Sequence, residues 1–248
     1  MHSSYRFAWL PVILLSAVFC VAGGCGSSSD SSTSPAASIP STANGSQQKL
    51  NEQPTVVEPL QLTSTTSPTA PITRPPVNLH PRVLMKTSLG DITIKLNSEK
   101  APLTVENFLD NYVDRGFYEQ TIFHYVHKGF IVAAGGYTSD LQPKEIRAEI
   151  LNEADNGLKN VRGTIAMARH PASINSATSQ FFINLVDNPD LDHQESENDE
   201  HYGYCVFGQV VAGMDVVERI AQVDVHDAEM FPNVPVEPVV IESVQRLD

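Results

Sequence analysis

Cysteine is scarce in this chain, and its three copies are badly placed for cross-linking. Cys20 and Cys25 lie in or just after an N-terminal apolar segment, which leaves Cys205 alone in the rest of the sequence. A structural disulfide is therefore not expected. Cys205 falls in an apparent strand with no cysteine-enzyme motif around it, the setting of a buried, inert thiol. Positive charge is short as well. The formal net charge is −13, and Arg6, Lys49 and Arg74 cancel Asp30, Glu52 and Glu58, so the whole excess belongs to the chain from Arg82 onward. Such a surface repels phosphate backbones and excludes nucleic acid as a partner. The main apolar run, residues 7–22, is too short and too poorly flanked for a membrane span. No Gly-x-Ser-x-Gly motif or convincing Ser-His-Asp arrangement is visible, which argues against a hydrolase.

The N-terminus has Arg6, the apolar run and small residues before Cys25, the layout of a secretory signal peptide over residues 1–24. Ala22-Gly23-Gly24-Cys25 resembles a bacterial lipobox, which marks Cys25 for lipidation and the protein for an extracytoplasmic place on a bacterial membrane, periplasmic or at the cell surface, held by the lipid alone. Residues 25–81 are mainly Ser, Thr, Pro, Ala and Gln with few apolar residues, a composition that cannot offset its ordering entropy and reads as a tether.

Residues 82–248 read as one folded domain. Residues 82–87 and 92–96 flank a Gly-containing turn, as a hairpin does. Residues 101–115 carry Val105, Phe108, Leu109 and Tyr112 at helical spacing, with Pro102 near the start and Gly116 past the end. Residues 164–168 and 180–185 read as strands around a loop rich in Pro, Ser, Asn and Thr. Residues 204–209 read as a further strand, residues 214–221 as an amphipathic helix, residues 227–238 as a Pro-interrupted loop, and residues 239–244 as a closing strand. His124 and His127 stand three apart on a strand, which sends their side chains to opposite faces and argues against a shared metal. The acidic cluster Glu195, Glu197, Asp199 and Glu200 lacks the alternating ligands and central glycine of a calcium loop, so it reads as a solvated loop. No metal site is expected.

Gly163-Thr164-Ile165-Ala166-Met167-Ala168, Ser179-Gln180-Phe181-Phe182-Ile183, Val206-Phe207-Gly208 and Gly213-Met214-Asp215-Val216-Val217 resemble, in order and spacing, the core motifs of the bacterial cyclophilins, the peptidyl-prolyl cis-trans isomerases. The resemblance implies a mainly β fold: a closed eight-stranded antiparallel β-barrel capped by two α-helices. It implies a reaction without cofactor, rotation about X-Pro amides in proline-containing peptides or unfolded exported proteins, performed by a monomer. By the same resemblance Phe130, Ile131, Phe182 and Leu191 form the proline pocket, with Tyr204 where many relatives have histidine. Backbone groups at Ala168 and Arg169 pair with the peptide, and Gln180 orders the groove. Phe181 and Phe182 alternate, so one of them belongs to the core. Three positions depart from the family pattern. Tyr125 stands for the arginine that stabilises the twisted amide, Ala133 for the glutamine that orients it, and Asp190 for a tryptophan often found at the groove's edge. The departures imply a slow isomerase or, alternatively, a catalytically inactive proline-peptide binding or chaperone module. The Arg169 side chain is a candidate replacement donor.

Overall fold

A computed structural model describes residues 78–228 and 230–247. The signal peptide expected over residues 1–24, the lipidated Cys25 and nearly all of the expected tether lie outside the described residues. The last part of that tether does not: Leu96 N donates to the Pro81 carbonyl at 2.8 Å and Ser98 N to the Leu79 carbonyl at 2.9 Å, so the chain joins the fold before the first strand begins.

Eight strands close a barrel. They are β1 (Arg82–Thr87), β2 (Gly90–Leu96), β3 (Thr121–His127), β4 (Ile131–Thr138), β5 (Thr164–Met167), β6 (Phe181–Asn184), β7 (Val206–Ala212) and β10 (Val240–Arg246). Around the barrel the order is β1-β10-β3-β4-β6-β5-β7-β2, antiparallel throughout. Period-2 alternation decides which side chains fill it. On β1 and β2 the inward set is Val83, Met85, Ile92, Ile94 and Leu96, all buried, and Met85 stands opposite Ile92. One end is filled by a knot of rings. Phe108 meets Tyr118, Phe181 and Phe207 at centroid distances of 5.3, 6.0 and 5.2 Å.

The helix expected over residues 101–115 forms in two parts, α1 (Pro102–Glu106) and a π-helical continuation, Asn107–Val113. In the second part Asp114 N donates to the Leu109 carbonyl, five residues back. The wider turn brings Phe108, Leu109, Tyr112 and Val113 to the barrel mouth together, and all four are buried. The start of α1 has no cap of its own. Glu153, from the irregular excursion after β4, supplies one: its carboxylate accepts from Leu103 N at 3.1 Å, Thr104 N at 2.8 Å and the Thr104 hydroxyl at 2.7 Å. Glu153→Ala is expected to lower unfolding free energy by about 1–2 kcal/mol, the scale of a lost N-cap, read by denaturant titration. A change below a few tenths of a kilocalorie would mean that water replaces the carboxylate at no cost.

The second helix, α2 (Met214–Ile220), follows Gly213, whose φ is +85°. A Cβ there would sit 2.2 Å from the Asp91 carbonyl oxygen, so only glycine lets the chain turn this close to β2. The segment expected as a Pro-interrupted loop is instead a hairpin, β8 (Val225–Ala228) and β9 (Phe231–Pro235), seated by the Phe231 ring on Tyr137 at 4.8 Å. A two-stranded ribbon has free outer edges, so Pro232 and Pro235 remove no bond that it needs.

Candidate functional site

Among the described residues there are two apolar clusters. The larger fills the barrel and includes Phe181; the smaller lies on the outer side of the same strands and includes Phe182. The alternation expected at this pair is thus resolved, with Phe181 as core. The smaller cluster holds Ile131, Ala133, Ala166, Ala168, Phe182, Leu191, Tyr204 and Val206, with Tyr125, Phe130 and Leu158 packed against it.

Register explains its shape. Val206 pairs with Ala166, Ala166 with Phe182, Phe182 with Ala133 and Ala133 with Tyr125, so one lateral row crosses β7, β5, β6, β4 and β3. At about 4.8 Å per strand the row is roughly 19 Å long. Alanines flank Phe182 on both sides in the register, and all three are buried. Tyr204 meets the Phe182 ring edge-on at 5.6 Å. Tyr125, His127 and Phe130 form an aromatic border at the far end, with centroids 6.4 and 5.6 Å apart. The Tyr125 hydroxyl hydrogen-bonds to no described residue, and burial raises its pKa, so it stays a protonated donor at neutral pH.

Tyr125 reaches this face through a bulge. Phe123 pairs with Ala134 and Tyr125 with Ala133, so two steps on β3 match one on β4, and His124 is the extra residue. The strand's inward set is consequently Phe123 and Val126, with Tyr125 turned outward between them. His124 and His127 do part, as expected: His127 is exposed, whereas His124 is buried against the Tyr137 ring at 4.9 Å. No well-formed hydrogen bond reaches either His124 ring nitrogen. Burial lowers its pKa to about 4, opposed in small part by the Ile122 backbone.

That shift has a sign for stability. Above the ordinary histidine range both folded and unfolded chains hold the ring neutral. Between about 6.5 and 4 the unfolded chain takes up a proton that the folded chain refuses, so stability falls as pH falls through this window and the loss is complete near 4. The full difference is about 3 kcal/mol. His124→Leu is expected to flatten the profile of unfolding free energy between these pH values; a profile that keeps its slope would assign it to other groups.

Three asparagines that the sequence reading passed over fix the rim. Asn188 Nδ2 donates to the Asn184 Oδ1 at 2.8 Å and to the Phe130 carbonyl at 3.2 Å. Asn184 Nδ2 reaches Asn160 Oδ1 at 3.2 Å, and Asn160 Nδ2 donates to the Leu191 carbonyl at 3.0 Å. All three are buried, and they tie Phe130 and Leu191 to one network. The only signal in the sequence is a polar residue, Asn184, ending an apolar strand. Leu158, Ala166 and Val206 were also missed, although Ala166 and Val206 follow from strand parity once the register is known.

Of the remaining expected site residues, Ala168 N donates to the Gln180 carbonyl at 2.9 Å, and the Gln180 side chain lies on Gly136, where a Cβ would come 2.8 Å from its Cδ. Arg169 is not a free donor. Its guanidinium is buried and turned away: Nε donates to Gly203 O at 2.8 Å, Nη1 to His170 O and Pro171 O at 3.0 Å each, and Nη2 to Asp199 O at 2.6 Å. These bonds use four of its five N–H groups. The replacement-donor expectation for its side chain is therefore corrected; nothing in the geometry speaks against its backbone. Cys205 is buried beside Thr104 at 3.4 Å, and burial pushes its thiol pKa up to about 12, which makes it inert.

The model of the family described as cyclophilin type peptidyl-prolyl cis-trans isomerase/CLD matches residues 82–246. Peptidyl-prolyl cis-trans isomerase A of Dickeya dadantii is 50% identical over 163 residues, covering 66% of this chain and 83% of the relative. Peptidyl-prolyl cis-trans isomerase B of Escherichia coli is 51% identical over 162 residues, covering 65% and 97%. Among solved structures, a cyclophilin type isomerase of Cryptosporidium parvum matches with a TM-score of 0.55 at 24% identity, covering 68% of this chain and 98% of that one. The same protein is also known in the presence of the dipeptide Ala-Pro, with a TM-score of 0.55 and 24% identity.

Proposed function

Because the chain belongs to the cyclophilin-type peptidyl-prolyl cis-trans isomerase family, we propose that its outer apolar row is a proline site, and that the protein slowly isomerises X-Pro bonds in exported proteins. The observation that carries this reading is the lateral row centred on Phe182, an apolar strip backed by a barrel that is already full. An X-Pro amide resists rotation by about 18–20 kcal/mol because resonance holds it planar. Nothing covalent changes during the reaction, so only contacts that strengthen in the twisted amide raise the rate.

In this reading Phe130, Ile131, Phe182, Leu191 and Tyr204 hold the proline ring. The backbone at Ala168 and Arg169 pairs with the extended peptide, and Gln180 keeps that edge in order. The Tyr125 hydroxyl donates to the amide nitrogen as its lone pair localises. One neutral hydroxyl replaces the charged, forked donor that the family uses here, and Ala133 offers nothing to orient it. Loss of a preorganised donor costs about 2.7–4 kcal/mol in other enzymes, roughly 10²–10³ in rate, so slow turnover is the expected state. No metal or cofactor enters the reaction. Cys25, lipidated after removal of residues 1–24, would hold a monomer on the outer side of a bacterial membrane, with residues 25–81 as the tether.

Tyr125 and Ala133 also favour a second reading, a binding or chaperone module that grips proline peptides without turning them over. Magnetisation-exchange NMR on an Ala-Pro peptide with and without the purified chain separates the two. Enhanced cis-trans exchange supports the isomerase. Peptide shifts without enhanced exchange support the binding module, and neither effect would remove the proline site altogether.

A further inference from the structure

The Arg169 guanidinium carries a buried positive charge, yet among the described residues each of its hydrogen bonds goes to a backbone carbonyl and none to a carboxylate. Burial is costly for the cation and pulls its pKa down, with Tyr204 and Asp199 opposing. An expensive group held by four carbonyls is a tie between the segments that own them. His170 and Pro171 lie on the loop leading to β6, while Asp199 and Gly203 bracket the end of the acidic loop. Gly203 is shaped for this: its φ is +82°, a Cβ would sit 2.5 Å from His193 N, and its carbonyl also accepts from Asn152 Nδ2 at 3.1 Å. The residue after Gly203 is Tyr204. The Arg169 guanidinium lies over its ring at 4.9 Å, and the same ring meets Phe182 edge-on at 5.6 Å.

We infer that Arg169 is a positioning residue for the proline pocket: its side chain clamps the acidic loop and presses Tyr204 against Phe182, so the loop sets how tightly the pocket grips proline. The inference rests on the proline-site reading and adds a control to it. Arginine suits the task because its planar fork serves carbonyls in two directions while its face stacks on an aromatic ring. Lysine keeps the charge but has neither fork nor face.

The test uses the full chain and an Ala-Pro peptide, with peptide Kd and the saturating exchange rate measured by NMR. Arg169→Lys is expected to weaken binding about three- to tenfold, the scale of one displaced aromatic contact. Affinity should move more than the saturating rate, because the substitution keeps the Arg169 backbone that pairs with the peptide and changes only a side chain bonded to Gly203, His170, Pro171 and Asp199. Amides of Gln194 and His201, which bond within the acidic loop, should exchange faster with deuterium while barrel amides hold. Tyr204→Leu should weaken binding comparably, and the double variant no more than the weaker single, since both break one path. Unchanged Kd with faster loop exchange overturns the inference, as do effects that multiply in the double variant. If Arg169→Lys does not fold, Tyr204→Leu decides, and a Kd equal to native overturns it. A native chain that binds no proline peptide would instead sink the proline-site reading and this inference with it.

Discussion

Replacing Tyr125 by Arg and Ala133 by Gln together is expected to raise turnover of an X-Pro peptide by about 10²–10³, the converse of losing a preorganised donor. The geometry for the gain is present. Residues 125 and 133 stand directly opposite on β3 and β4, where side chains start about 4.5–5.5 Å apart, so a glutamine at 133 can accept from a guanidinium at 125 and aim it. Tyr125 is half-buried at the border of the pocket, and a longer side chain there can keep its head toward solvent and substrate. Tyr125→Arg alone should gain less, because an unoriented fork must be ordered at each turnover. Ala133 is fully buried, so the glutamine is expected to cost about 1–3 kcal/mol of stability through overpacking. Exchange rates by NMR at equal peptide occupancy give the answer. If binding persists and the rate does not move, the missing donor is not what limits this chain.

The second large effect contrasts two neighbours. Phe181→Ala removes a ring that Phe108 and Tyr118 pack against inside the barrel, at centroid distances of 6.0 and 5.5 Å. It is expected to lower unfolding free energy by about 3–5 kcal/mol, because a closed barrel cannot collapse around the void. Phe182→Ala takes the central ring out of the outer row. Its stability cost should be smaller, since half-buried Tyr125 and Phe130 can lean into the gap, but the proline ring loses the surface it stacks on. Peptide affinity should fall by about 10–100-fold, the equivalent of one buried aromatic anchor. Denaturant unfolding and peptide titration on both variants should therefore give opposite rankings. Equal rankings in the two assays would mean that the outer row is ordinary packing.

How far the sequence carried these conclusions depended on what each element needs in order to form. The barrel strands were legible because alternation writes itself into the chain: Val83, Met85, Ile92 and Ile94 announce a buried face without reference to anything distant. Tyr125, Phe130, Ile131, Ala133, Ala168, Phe182, Leu191 and Tyr204 were nominated by family resemblance, and the structure brings them into one cluster. What escaped was mostly non-local. Glu153 caps a helix 49 residues before it, and the Asn160, Asn184 and Asn188 network matters only once three separate segments meet. Arg169 looked available because a loop arginine usually is, and only the path of the acidic loop shows where its N–H groups go. Prolines made residues 227–238 look irregular because edge strands that tolerate them cannot be told from loops by composition. The π-helical turn failed differently, since its spacing of buried residues overlaps that of an ordinary helix over so short a run.

The extra His124 means that the groove takes its residues from their pairing with β4 and not from a count along β3. A strand with strict alternation could not send Phe123 and Val126 inward and Tyr125 outward. Remove His124 and parity returns with Tyr125 still opposite Ala133 and still outward, because the remaining run Phe123, Tyr125, Val126 alternates in, out, in as Ala134, Ala133 and Val132 do on β4. Among sequences that share this barrel, a strand one residue shorter here would therefore keep the same residue over the groove, and a comparison that allowed no gap at this point would set the wrong residues side by side.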